Sequence, residues 1–144
     1  MAIHYLKTIS DEPETGYFIP LYIKTGEQTY PMIHSKLMIV DEEFVLVGNA
    51  NVSKRSMCHD TEVHLGIVDS VNEYARDLRI RLWQEHMASE TDDIWYPLDG
   101  IQVLYNFAST QGNRLCLYST DHPGDPPILH ETTINNYFDP GSMK

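Results

Sequence analysis

Residues 32–48 read MIHSKLMIVDEEFVLVG, two apolar runs divided by three consecutive acids. Each run has the length of a strand, and Asp41-Glu42-Glu43 between them supplies a turn. A β-hairpin with strands over residues 32–40 and 44–48 is therefore predicted. A third strand is read over residues 61–69, TEVHLGIVD. Strict alternation puts Val63, Leu65 and Ile67 on one face and Glu62, His64 and Gly66 on the other. The polar stretch between the hairpin and this strand reads as a loop.

A helix is predicted from Ser70 to about Met87. Ser70 and Glu73 have the spacing of a capping box, in which hydroxyl and carboxylate satisfy free N–H groups of the first turn. Val71, Tyr74, Leu78 and Leu82 form one apolar stripe, and Ile80, Trp83 and Met87 a second. A helix apolar on two sides packs between layers. Upstream, residues 17–26 read as a short strand closed by Gly26, with Pro20 favouring a sheet edge. Residues 1–16 read as irregular. Residues 88–144 read as an acidic extension, with one β-hairpin across Gln111-Gly112 and an irregular tail. The division expected is thus 1–16, 17–87 and 88–144.

The chain has 144 residues, 42% of them hydrophobic, enough for one domain with a buried core. Its net charge of −11 repels phosphate backbones and argues against nucleic acid as a partner. A local cationic site is still open to it, because six of the ten Lys and Arg residues fall within residues 31–87. No apolar run approaches the roughly 18–20 residues of a transmembrane helix. The first residues lack the basic and apolar regions of a signal peptide, so the default location is the cytoplasm or a membrane periphery. Cys58 and Cys116 stand in no metal or redox spacing.

The residues with the most chemistry lie along the predicted hairpin. His34, Lys36, Asp41, Gly48 and Asn51 follow the pattern H-x-K-x4-D-x6-G-x-x-N. A chance match of this kind in one chain is on the order of one in ten thousand. On a strand, His34 and Lys36 project to one face. An imidazole there can attack phosphorus or protonate a leaving alkoxide near neutral pH. The ammonium offsets charge on phosphoryl oxygens, and Asn51 adds a neutral donor. Gly48 permits close approach because it has no Cβ. Glu62 is the natural acceptor for the second nitrogen of His34, against an ordinary strand residue. Asp41, on the opposite parity, is assigned to the turn. His64 either lines the same pocket or is only a neighbour. Lys54 and Arg55 either touch a phosphate or head group or form a solvated pair. Cys58, His59 and His64 fit no common zinc pattern.

This segment resembles the HKD motif of the phospholipase D superfamily. The resemblance continues through HSKLMIVDEE, RSM, DTEVHLGIVD and LRIRLWQEH, and is closest to the second catalytic half of two-motif phospholipases D. It covers roughly residues 17–87. One departure is Asn49, which stands where the family usually has Ser. The resemblance implies an α/β fold, a mixed sheet flanked by helices equivalent to one half of a phospholipase D. It implies a phosphohistidine intermediate, no metal and no cofactor, and an acidic residue orienting the histidine. It also implies two motifs per site. This sequence carries one, since none of the other six histidines is followed by x-Lys. The second would come from a homodimer mate or from a missing N-terminal half.

The function expected is phosphodiester cleavage on a phospholipid, by hydrolysis or by transfer to an alcohol, with peripheral contact to the membrane. An endonuclease of the same superfamily is the alternative enzyme. An inactive half-domain acting only by packing on another protein is the alternative outside catalysis.

Overall fold

The computed structural model describes residues 19–26, 31 and 33–118. In chain order these form β1 (Leu21–Ile23), β2 (Lys36–Val40), β3 (Phe44–Gly48), α1 (Lys54–Cys58), β4 (His64–Val68), α2 (Tyr74–Met87), α3 (Pro97–Ser109) and β5 (Leu115–Leu117). The fold is α/β, as expected, and both sheets among the described residues are antiparallel. The described residues divide into two compact units, one of residues 33–83, the other of residues 19–26, 31 and 84–118. β1 belongs with the segment after residue 84, because it pairs with β5. The expectations for residues 1–16 and for the tail after residue 118 lie outside the described residues.

In the first unit the sheet order is β2-β3-β4. The β2–β3 turn is closed by the Glu43 N–H donating to the Val40 carbonyl at 3.0 Å. Asp41 and Glu42 both take left-handed backbone, with φ of 51° and 58°. This is the primed turn whose twist suits a two-stranded ribbon. Glu there is uncommon, since a side chain with a Cβ resists that region at a cost of roughly 1–2 kcal/mol. Its carboxylate accepts from Arg79 Nε on α2, an ion pair with both side chains largely buried. The Arg79 guanidinium also lies 4.6 Å from the centre of the Trp83 ring. The turn is therefore held to the helix as well as by its own backbone.

Helix α2 begins at Tyr74, four residues later than the capping box at Ser70 and Glu73 predicts. Asp69 takes the capping role. Its Oδ2 accepts from the Ala75 N–H at 2.9 Å and its Oδ1 from the Val71 N–H at 3.4 Å. Asp69 is buried as β4 ends. A buried carboxylate must find donors, and its charge makes it a stronger acceptor than a serine hydroxyl. Residues 70–73 spend themselves on the turn, with Asn72 at φ 57°. The deepest side chains of this helix within the unit are Ala75 and Arg79, which belong to neither predicted stripe, and Val71 and Tyr74 are exposed. Asp69→Ala is expected to cost about 1–2 kcal/mol of stability. Ser70→Ala should stay within about 0.5 kcal/mol of wild type. Urea denaturation of both variants checks the pair, and the reverse ranking would return the cap to Ser70.

The second unit corrects the hairpin expected across Gln111-Gly112. Its first arm is the helix α3. Pro97 occupies the first turn, where its fixed φ suits a helix, and Gly100, Leu104 and Ala108 are buried at a spacing of four. Ile101 and Val103 suggest a strand by composition, but the period of burial is helical. Only Leu115–Leu117 is a strand, and it pairs with β1 in the register Leu21↔Leu117 and Ile23↔Leu115. The Tyr118 N–H to Pro20 carbonyl bond, at 2.9 Å, continues the ladder past its end. Helix α2 closes in this unit on Ala88, at φ 51°, with the Ser89 N–H donating to the Gln84 carbonyl at 3.0 Å. That is a Schellman motif with alanine in the usual glycine place. Cys58 and Cys116 are both free thiols.

Candidate active site

β2 starts at Lys36, β3 ends at Gly48 and β4 starts at His64, and the register sets these three residues directly opposite one another. They share one face and one end of the sheet. The segments carrying His34, Asn49 to Asn51, and Glu62 all adjoin that end. Asp41 lies at the other end of β2, about 16 Å along the strand from Lys36. Its place is in the turn.

His34 is exposed and stands two residues before β2, so the strand read from residue 32 is shorter than expected. The reason is the partner. β3 ends at Gly48, and the Asn49 N–H turns away to the Val63 carbonyl at 3.3 Å, which leaves residues 33–35 without a ladder. His34 and Lys36 are joined instead by a hydrogen bond, Lys36 Nζ donating to the His34 carbonyl at 2.7 Å. The ammonium is thereby held beside the backbone of the histidine.

Asn49 clamps the start of β4. Besides its backbone bond, its Oδ1 accepts from the Val63 N–H at 2.8 Å. Val63 sits between Glu62 and His64, so this clamp fixes where both side chains leave the chain. Glu62 is half-buried and precedes β4 instead of lying in it. Asn51 is exposed, and its carbonyl accepts from the Ser53 N–H at 2.8 Å. Ser53 then caps α1, its Oγ accepting from the Ser56 N–H at 3.2 Å, so the expected loop contains a helical turn. Lys54 opens that turn. Arg55 is exposed and its Nε donates to Asp60 at 3.0 Å, so part of its charge is spent within the loop.

His64 is exposed, and its ring leans over Gly48. A Cβ built on Gly48 would lie 2.7 Å from His64 Cγ and 2.5 Å from the Val63 carbonyl oxygen. The segments that adjoin this end of the sheet thus carry two imidazoles, an ammonium, two carboxamides and a carboxylate. Those are donors for a tetrahedral anion together with groups able to hold and pass a proton. Among the described residues no three His, Cys, Asp or Glu side chains are gathered as ligands of a metal ion.

The phospholipase D family model matches residues 7–120. The chain belongs to the phospholipase D family. The match runs past residue 87, through residue 120. The chain is 32% identical over 103 residues to phospholipase D alpha 1 of Cynara cardunculus, which covers 65% of this chain and 12% of that protein. It is 38% identical over 94 residues to phospholipase D beta 1 of Arabidopsis thaliana, covering 57% of this chain and 8% of that one. Phospholipase D alpha 1 of Carica papaya is 32% identical over 112 residues, 69% of this chain and 14% of its own length. The chain therefore spans a small fraction of these phospholipases D. No solved structure matches. Among the described residues no helix is long and apolar enough to cross a membrane.

Three residues order this region through contacts that the motif does not show. Asp69, Glu42 and Arg79 tie the sheet to α2 without touching the motif. An aspartate between a strand and a helix is a known capping signal. Nothing local marks Arg79, which lies 37 residues from its partner.

Proposed function

We propose that the chain supplies one motif of a phosphodiesterase site that cleaves or transfers the head-group phosphodiester of a phospholipid. The observation that supports this reading best is the row Lys36–Gly48–His64 with His34 beside it, inside a region that belongs to the phospholipase D family. An imidazole nitrogen attacks phosphorus, the P–O bond to the alcohol breaks, and a second protonated imidazole gives its proton to the leaving oxygen. That second imidazole then takes a proton from water or an alcohol, whose oxygen attacks the phosphohistidine and breaks the P–N bond. Lys36 and Asn51 neutralise the non-bridging oxygens through both steps. Glu62 accepts from the other nitrogen of His34 and fixes its tautomer. Paired with a first-half motif, His34 is the acid and base; in a symmetric dimer either copy serves as nucleophile.

A second reading has its own support. The chain spans 12% of phospholipase D alpha 1 of Cynara cardunculus and holds a single motif. By itself it would then be a half-domain that packs on the rest of such a protein. A nuclease is disfavoured by the net charge of −11.

Turnover of phosphatidylcholine vesicles and of bis(p-nitrophenyl) phosphate, each with excess EDTA, tests the proposal. Activity on both is expected to survive the chelator. Loss of bis(p-nitrophenyl) phosphate cleavage, restored by a divalent ion, would overturn the phosphohistidine reading. An inert monomer by light scattering would favour the half-domain.

A further inference from the structure

The two-step chemistry uses one histidine from each motif, yet this end of the sheet presents two. We propose that His64 is a substrate-contacting residue, donating a hydrogen bond to a non-bridging oxygen of the phosphodiester from the side opposite Lys36. The inference rests on the phosphodiesterase reading and adds to it a residue outside the motif.

Register carries the first part of the argument. Lys36, Gly48 and His64 are direct partners across three strands, so the ammonium and the second imidazole rise from one face. The central position has no side chain. Neighbouring strands are about 4.8 Å apart, which puts Lys36 and His64 about 10 Å apart at the backbone. A phosphate oxygen bonded on each side needs roughly 8 Å between donors, from two hydrogen bonds of about 2.8 Å and the width of the tetrahedron. The His64 ring lies over Gly48 and reaches from β4 into this span toward Lys36.

The tilt of the ring carries the second part. His64 lies so close over Gly48 that a Cβ at 48 would overlap it, so the imidazole leans from β4 across β3 toward β2. It is also exposed, with its edge open to a ligand. A ring placed only to cover a glycine needs no N–H group, and phenylalanine would cover it equally well. That difference makes the proposal testable.

The probe is dimethyl phosphate, a phosphodiester anion without an activated leaving group, titrated into the chain with the imidazole signals followed by NMR. The signals of both His34 and His64 are expected to move along one binding curve. His64→Phe should weaken binding about tenfold, the loss of one hydrogen bond to a charged group. His64→Gln, which keeps a donor, should stay within about threefold. In turnover the His64→Phe change should fall mainly on KM. If His34 responds while His64 does not, and His64→Phe binds as tightly as wild type, His64 only packs and the phosphodiesterase reading stands. If neither imidazole responds at any soluble concentration, both are overturned. The wild-type titration decides even if a variant fails to fold.

Discussion

His34→Ala is expected to abolish turnover, and Lys36→Ala to lower it by roughly 10²–10³, the usual loss for one preorganised charge-stabilising group. Neither change should act through folding. His34 is exposed and outside the ladder, so its removal should shift stability by less than about 0.5 kcal/mol. The Lys36 ammonium donates to the carbonyl of His34, and loss of that bond costs about 1 kcal/mol. Residual activity within tenfold of wild type in either variant would end the assignment. The same variant separates a shared site from a self-sufficient one. In a homodimer each site draws one imidazole from each copy across an isologous interface. If His34→Ala chains exchange freely with wild type, activity then falls as the square of the wild-type fraction. An equal mixture keeps about a quarter of the activity if both copies are needed, and about half if each chain works alone. The linear result would remove the two-motif requirement.

The hairpin was legible because each of its features is local. Phe44–Gly48 is a strand in the structure with the bounds expected of it, since an apolar run between an acidic turn and a glycine leaves little choice. The other end of β2 was not legible. Its apolar run begins at residue 32, but a strand extends only as far as its neighbour, and β3 stops at Gly48. Likewise the second half of the chain misled by composition. The β-branched residues of 100–110 suit a strand, and only the four-residue period of Gly100, Leu104 and Ala108, with Pro97 in front, marks the helix. The helix start after β4 was misplaced for a third reason. Ser70 has the capping spacing, but the carboxylate of Asp69, buried at the end of β4, takes the free N–H groups.

For the site, the motif itself was readable from spacing alone, since its residues are fixed by short stretches on either side of one turn. Parity put His64 on the face of Glu62. Opposition to Gly48 and Lys36 depends on cross-strand register, and Asn49 is part of what sets it. Asn49 stands where the family usually has serine, and a carboxamide oxygen there accepts the Val63 N–H. Any role resting on a hydroxyl at that position is therefore not needed to order the start of β4.

Gly48→Ala is expected to cost about 1–3 kcal/mol, the range for forcing one extra carbon into a filled space. Backbone conformation is not the cause, because Gly48 is not among the residues with positive φ. The cause is contact on two sides. The His64 ring can swing aside. The Val63 carbonyl, 2.5 Å from the added carbon, cannot yield without stretching the Asn49–Val63 bonds that hold β3 to the start of β4. Gly66 supplies the contrast. A Cβ there meets only the far edge of the Phe44 ring, at 3.1 Å, and Gly66→Ala should cost less than about 1 kcal/mol. The double variant Gly48→Ala with His64→Ala removes the ring conflict and keeps the backbone one. It should recover part of the stability and none of the activity, since Glu62 and the start of β4 stay displaced. Thermal and urea unfolding of the four proteins, with turnover measured alongside, checks the series. A Gly48→Ala protein as stable and as active as wild type would mean that the close approach of β3 and His64 is not needed for either fold or site.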